Sequence, residues 1–87
     1  MAMYYVTMTD SFLSGWGKAK NKTAKYVIAC NNREEAEIVA RNARSRDEMK
    51  YVSIALERPS YDPKRYQVSY ANKTKAKNWF IPGYFAR

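Results

Sequence analysis

The stretch NNREEAEIVARNARSRDEMK, residues 31–50, decides the fold because it carries helix signals at both ends. Asn32 suits the N-cap position and Glu35 follows three residues later, a capping-box pair that would satisfy backbone N–H groups of the first turn. Helical spacing places four apolar residues in one stripe: Ala36, Val39, Ala40 and Ala43. The pattern predicts one helix over residues 33–46, with its narrow stripe lying close against a sheet.

Segments with strand character lie on both sides of this helix. Alternating side chains predict strands over residues 4–9, 51–57 and 65–70. Aromatic and β-branched residues predict another strand over residues 25–30. In the strand after the helix, the alternation points three side chains inward: Val52, Ile54 and Leu56.

Two connecting segments carry further information. Residues 10–24 show no periodic pattern of apolar residues and contain Gly15, Trp16 and Gly17, which predicts a mobile loop. A loop of this length in a compact domain more often has a function than not. Prolines in residues 58–64 interrupt the sheet, since proline cannot donate to a ladder.

Residues 75–81 are open to two interpretations. They fit a fifth strand that closes a hairpin across a turn at Asn72, which we prefer. They also fit a short helix with Ala76, Trp79 and Phe80 on one face. Beyond them, Tyr84 and Phe85 are expected to fold back over an open edge of the core.

The element order predicts an α+β fold in two layers, with a mainly antiparallel sheet of four or five strands and the helix packed on one face. If the strands on either side of the helix are parallel neighbours, their crossover should be right-handed. The length fits a single domain, residues 1–87, with one modest core.

The net charge is the outstanding feature of the composition. Sixteen Lys and Arg residues against eight Asp and Glu residues give +8, which favours anionic partners. Five of the acids lie in or just after the predicted helix: Glu34, Glu35, Glu37, Asp47 and Glu48. We therefore expect the cations to form a positive surface on the side of the molecule away from the helix.

Lysine-rich loops interleaved with aromatic residues are typical of surfaces that bind phosphates and stack on bases. We expect a nucleic-acid or partner-binding surface made of Trp16, Lys18, Lys20, Lys22, Lys25, Tyr51, Lys64, Arg65, Lys73, Lys75 and Lys77. Further stacking faces are expected from Tyr5, Tyr61 and Trp79. Lysine turns are also commonly solvated loops and tyrosines are common on sheets, so that alternative stays open.

Catalytic chemistry is not expected. Histidine is absent, which removes the usual general base and the usual metal ligand. Cys30 has no evident activating neighbour and fits a small buried residue at the end of a strand. We expect no enzyme activity, no cofactor and no metal site.

The N-terminus MAMYYVTMTD lacks the basic and apolar regions of a secretory signal. No apolar run approaches the roughly 20 residues that span a bilayer. We therefore expect a cytoplasmic protein without a membrane partner.

The segments SGWG, residues 14–17, and EEAEIVARNARSRDEMKYV, residues 34–52, resemble small uncharacterised proteins of phages and mobile elements. The resemblance covers about half of the chain. The predicted order of elements is similar to that of certain small anti-CRISPR proteins, which block a host complex that handles nucleic acid. The resemblance implies a phage protein acting in the host cytoplasm.

Two functions follow from these observations. The first is a non-catalytic binding protein that docks its basic, aromatic-rich surface onto a nucleic-acid-handling complex or its nucleic acid, most concretely as an anti-CRISPR-like inhibitor. The alternative is an autonomous single-stranded DNA or RNA binding protein. Exposed tyrosines would also suit a homodimer interface, so self-association is left open.

Overall fold

One mixed sheet and one α-helix are formed within residues 3–12 and 14–85, which the computed structural model describes. The strands are β1 (Tyr4–Asp10), β2 (Thr23–Cys30), β3 (Met49–Ala55) and β4 (Tyr66–Ala71), and the helix is α1 (Arg33–Arg44). Their spatial order is β3-β1-β2-β4. β1 is antiparallel to both of its neighbours, whereas β2 and β4 are parallel. The α+β fold class predicted from the sequence is confirmed.

The start of α1 follows from its capping residues. The Asn32 side chain accepts a hydrogen bond from the Glu35 N–H, and the Glu35 carboxylate accepts one from the Asn31 N–H. These are the two residues of the predicted capping box, but the Glu35 carboxylate bonds the N–H of Asn31, one residue before the N-cap, and not the N–H of Asn32 itself. The helix ends at Arg44, two residues earlier than predicted, with Ser45 as its C-cap.

The predicted stripe of α1 is buried against one side of the sheet, which we call the first face. Ala36, Val39, Ala40 and Ala43 are all buried, and they belong to one core cluster with Val6, Met8, Ile28 and Cys30. Fully burying an aliphatic side chain of Val or Ile size is worth about 1.5–3 kcal/mol. Small residues on the helix let its backbone lie close to the strands.

The predicted fifth strand is not formed. Residues Lys77–Phe80 form a short 3₁₀-helix instead, and this places Ala76 and Phe80 in the core beside α1. The Asn72 side chain accepts N–H bonds from Thr74 and Lys75, which turns the chain away from the sheet. Trp79 and Phe80 are neighbours in the chain and both pack on the core, which a helical turn allows and the alternation of a strand does not.

A buried polar side chain joins α1 to this C-terminal segment. The Asn42 amide nitrogen donates to the carbonyl oxygens of Trp79, at 2.7 Å, and Ile81, at 2.9 Å. Only 1% of Asn42 is exposed. Two backbone acceptors near the core therefore depend on one side chain.

The segment between β3 and β4 crosses the other side of the sheet, which we call the second face. β3 and β4 run in the same direction at opposite edges, so residues 56–65 pass over β1 and β2. Tyr61 lies over this face, since its ring lies near the Lys25 amine and contacts the Tyr66 ring. Leu56, predicted to face inward, is 70% exposed because the chain leaves β3 after Ala55.

The two crossovers of the fold have the same hand. β2 and β3 are parallel in direction but not neighbours, because β1 lies between them. The connection through α1 covers the first face, and the connection from β3 to β4 runs back in the opposite direction over the second face. The second connection reverses both the direction across the sheet and the face that is covered, so its handedness is the same as that of the first. The shared hand is consistent with the rule that crossovers between parallel strands are almost always right-handed.

The replacement Asn42→Ala should lower the free energy of unfolding by about 2–3 kcal/mol, since it leaves two partly buried carbonyl oxygens without this donor. Asn42→Asp, which keeps the size but loses the N–H donors, should be at least as destabilising. Urea unfolding followed by circular dichroism measures both. Asn78→Ala, at an exposed position of the 3₁₀-helix, is the control and should change stability by less than about 0.5 kcal/mol. Equal effects of Asn42→Ala and Asn78→Ala would show that the buried bonds contribute nothing.

Candidate functional site

The parallel pairing of β2 with β4 brings two basic segments together. Both strands begin at the same end of the sheet, which we call the loop end, where Thr23 is in register with Tyr66. The Thr23 N–H donates to the Arg65 carbonyl oxygen at 3.0 Å. The lysines that precede β2 therefore lie beside the residues that precede β4.

An open depression at the loop end, which we call the basic groove, has a volume of about 510 Å³. Its lining consists of Ser14, Gly15, Asn21, Lys22, Thr23, Lys64 and Arg65. Gly15 and Asn21 have φ values of 84° and 63°, in the left-handed region that glycine and asparagine tolerate best. The loop from β1 to β2 is held here because the Gly15 N–H donates to the carbonyl oxygens of Ala19 and Lys22.

The cations of the basic groove are not held in ion pairs. Among the described residues, no ion pair includes Lys22, Lys64 or Arg65. Asp62 lies close in sequence, but its carboxylate accepts the Lys64 N–H at 2.9 Å and so forms the turn that leads into β4. Three cations around one concave surface attract anions, and the attraction weakens as salt rises.

An exposed aromatic residue adjoins the basic groove. Trp16 follows Gly15 and is 73% exposed. Lys20 is exposed in the same loop, after the 3₁₀-helix Gly17–Ala19. The side chain of Lys18 lies outside what the structure describes. Of the predicted residues, the structure brings Lys22, Lys64 and Arg65 together in the basic groove, and Trp16 and Lys20 are exposed in the loop that contains Lys22.

Two predicted site residues lie elsewhere on the sheet. The Lys25 amine donates to the Thr9 hydroxyl and lies within 6 Å of the Tyr61 and Tyr66 ring centres, on the second face. It therefore stabilises the crossing segment instead of facing the basic groove. Tyr51 is 84% exposed but belongs to β3, and β1 and β2 separate that strand from β4.

Three other predicted lysines lie at the opposite end of the sheet, which we call the far end, where β2 and β4 terminate. Lys73, Lys75 and Lys77 all follow β4 in sequence, whereas the basic groove precedes it. The six residues of β4 separate the two clusters by roughly 20 Å. The expected single positive surface is therefore divided into two.

The acids of the first helical turn also lie at the far end, because α1 begins where β2 stops. The Lys73 amine pairs with the Glu35 carboxylate at 3.0 Å. Lys73 is thus paired at the far end, whereas Lys22, Lys64 and Arg65 at the loop end make no ion pair among the described residues.

Trp79 is not available for base stacking. Its ring packs edge-on against Tyr26 and Phe85, at centroid distances of 5.6 and 4.9 Å. The Arg46 guanidinium lies over both Trp79 and Phe85. The aromatic tail thus closes the first face beside α1, as expected for Tyr84 and Phe85.

The sequence reading missed Arg58, which follows β3 and lies 4.2 Å from the centre of the Tyr70 ring. It also missed the contribution of Ser14 and Thr23 to the basic groove. An arginine placed just before a proline in a long crossing segment is the only local signal for Arg58. For the groove no local signal exists, since its walls meet only through the pairing of β2 with β4.

Comparisons with protein-family models, with curated proteins and with solved structures found no match. Among the described residues, no group of three or more acidic or cysteine side chains could hold a metal ion. Within the same part of the chain, no helix is both long and apolar enough to cross a membrane.

Cys30 lies in the core, where its thiol is oriented toward the Ile28 carbonyl oxygen. Burial, and secondarily the negative charge of Glu35, raises the pKa of the Cys30 thiol to about 12. A thiol with this pKa is almost entirely protonated near neutral pH, so it is a poor nucleophile.

We therefore expect a thiol reagent to label native Cys30 at pH 8 at least about 100-fold more slowly than it labels the unfolded chain, where the pKa is near 8.5. The two rates are measured in buffer and in concentrated urea by the absorbance of the chromophore that the reagent releases. Similar rates in both conditions would show an accessible, activated thiol. Cys30→Ala should leave any binding activity intact.

The Glu35 carboxyl group should make stability depend on pH. Its pKa is lowered, first by the hydrogen bond from Lys73 and then by the bond from the Asn31 N–H. A lowered folded-state pKa contributes stability that is present above the unfolded pKa of about 4.3 and is lost as pH falls toward the folded value. Glu35→Gln should therefore destabilise the protein at pH 6 and lose this effect near pH 3.

Urea midpoints of the wild type and Glu35→Gln at pH 6 and pH 3 test this expectation. Glu34→Gln is the matched control, because Glu34 is exposed in the same helical turn and makes no ion pair among the described residues. A Glu35→Gln effect that is the same at both pH values would contradict the assignment.

Proposed function

We propose that this protein is a non-catalytic, cytoplasmic binding protein that takes a single strand of nucleic acid into the basic groove. Lys22, Lys64 and Arg65 contact successive phosphates, and Trp16 stacks on a base. The observation that carries the proposal is the convergence of three unpaired cations on one groove next to an exposed tryptophan. Cations along the backbone with an aromatic stacking platform are the usual means of binding single strands.

The shape of the loop end favours a single strand over a duplex. The basic groove is bounded by loops, and the exposed face of α1 carries Glu34 and Glu37, which the phosphates of a duplex would repel. Trp16 can reach a base only if that base is unstacked from a neighbour, as in a single strand. We therefore expect weak dependence on base sequence and strong dependence on salt.

Inhibition of a nucleic-acid-handling complex is the concrete form of this function. A small protein that covers an exposed strand competes with the complex for that strand and needs no catalytic group. This is the anti-CRISPR-like role implied by the phage resemblance, acting here through the nucleic acid and not through a protein patch. The positive charge fits this target because the strand itself carries the negative charge.

Fluorescence anisotropy with a labelled oligothymidine tests binding directly. The logarithm of the binding constant should fall linearly with the logarithm of the salt concentration, with a contribution of about −0.7 for each phosphate contacted. The double variant Lys64→Ala/Arg65→Ala should reduce the magnitude of that slope by about 1.4. The control Arg33→Ala/Lys77→Ala removes the same charge at the far end and should leave the slope nearly unchanged.

Trp16→Ala should weaken binding about 5- to 150-fold, since stacking of one base on an aromatic side chain is worth about 1–3 kcal/mol. Quenching of Trp16 fluorescence by the unlabelled strand provides a second measurement. Equal losses in the groove and far-end variants would show that binding follows net charge alone and would overturn the proposed site.

Capture of the tagged protein's partners from a host lysate, with and without nuclease treatment, tests the inhibitor role. Partners bridged by a strand should be lost after nuclease treatment. Partners that survive it, together with negligible binding to naked oligonucleotides, would identify a protein target and overturn the proposal.

A further inference from the structure

The second face carries a cleft near the far end that the basic groove does not explain. Its volume is about 240 Å³, and its lining includes Val27 and Ala29 of β2, of which Val27 is only 1% exposed. Tyr5 of β1 is in register with Ala29, and Tyr70 of β4 is in register with Val27. The two tyrosines therefore lie on either side of β2, with Ala29 as the accessible β2 residue between them. We call this depression the tyrosine cleft.

Two cations stand at the rim of the tyrosine cleft. The Arg58 guanidinium lies 4.2 Å from the centre of the Tyr70 ring, which restricts its position. Lys75 reaches the cleft from the turn after β4. Neither residue makes an ion pair within residues 3–12 and 14–85, and none of the described residues that line the cleft is acidic.

The width and chemistry of the cleft select the class of ligand. β1 and β4 are two strand spacings apart, about 10 Å, which admits one planar ring between the tyrosines. The volume is below the roughly 300–1,000 Å³ of pockets for drug-sized molecules, so the ligand is small. An arginine fork and a lysine at the rim are suited to a phosphate group.

We propose that the tyrosine cleft binds one nucleotide unit, with its base over Ala29 between Tyr5 and Tyr70 and its phosphate held by Arg58 and Lys75. The unit is either a free nucleoside monophosphate or a nucleotide within a strand. The cleft and the basic groove lie at different ends of β2, with the Tyr61 side chain of the crossing segment over the face between them. Either site can therefore bind without the other.

The cleft differs from an ordinary gap in packing. Tyr70 remains 41% exposed although its hydroxyl donates to the Pro59 carbonyl oxygen and its ring contacts Arg58. Tyr5 makes no ring contact or side-chain hydrogen bond to another described residue. Tyr70 is thus held in position and Tyr5 is able to reorient, and together they can pack against the two sides of a planar ligand.

Titration of the isotope-labelled protein with adenosine monophosphate, followed by two-dimensional NMR, tests the proposal. Val27, Ala29 and Tyr70 resonances should shift in a saturable manner. Adenosine and inorganic phosphate, titrated separately, should each bind at least about tenfold more weakly, because each uses only half of the site. Shifts confined to other residues, or no saturable shifts at millimolar nucleotide, would overturn the proposal.

The double variant Arg58→Gln/Lys75→Gln should weaken nucleotide binding about tenfold or more and leave binding of adenosine little changed. Lys77→Gln, an exposed lysine in the following 3₁₀-helix, is the control and should bind the nucleotide like the wild type. An unchanged affinity in the double variant would overturn the assignment of the phosphate.

A labelled oligothymidine distinguishes the two sources of the nucleotide. If it shifts the same cleft resonances and competes with adenosine monophosphate, the cleft holds one unit of a strand. If it binds without disturbing bound adenosine monophosphate, the cleft serves free nucleotides. If Lys64→Ala/Arg65→Ala loses strand binding but still binds adenosine monophosphate, the two activities belong to different sites. Either proposal can therefore fail without the other.

Discussion

The crossing of the sheet by residues 56–65 is the constraint from which the surface of this protein follows. β3 and β4 are parallel and occupy opposite edges, so the connection cannot be a tight turn. It places Arg58 against Tyr70 at one end, Tyr61 over the middle, and Arg65 beside Thr23 at the other end. Both the tyrosine cleft and the basic groove are therefore products of one irregular segment.

The features that the sequence predicted well are those set by near neighbours in the chain. The capping residues of α1 and its stripe of small side chains act within a few residues, so a local pattern is sufficient to identify them. The same holds for the existence of all four strands. The helical turn at Lys77–Phe80 was one of two alternatives, and it forms because burial of Ala76 and Phe80 beside α1 outweighed a weak tendency to form a strand.

The features that could not be predicted depend on pairing between distant residues. Lysine loops appear alike in a sequence, yet the structure uses each one differently. Lys22 lines an open groove, Lys25 is enclosed by two tyrosines, and Lys73 is paired with Glu35. Strand order decides these outcomes, and composition carries no information about strand order. Asn42 was missed for a similar reason, since its acceptors lie in the tail and not in α1.

The register of β2 with β4 also has a consequence for how the protein folds. Thr23 and Tyr66 are separated by about half of the chain, whereas β1, β2 and α1 follow one another closely. Contacts between distant segments close slowly because a long loop must first be ordered. A chain that has formed its hairpin and docked its helix would thus have most of its core but no groove. The basic groove would be the last feature to form during refolding.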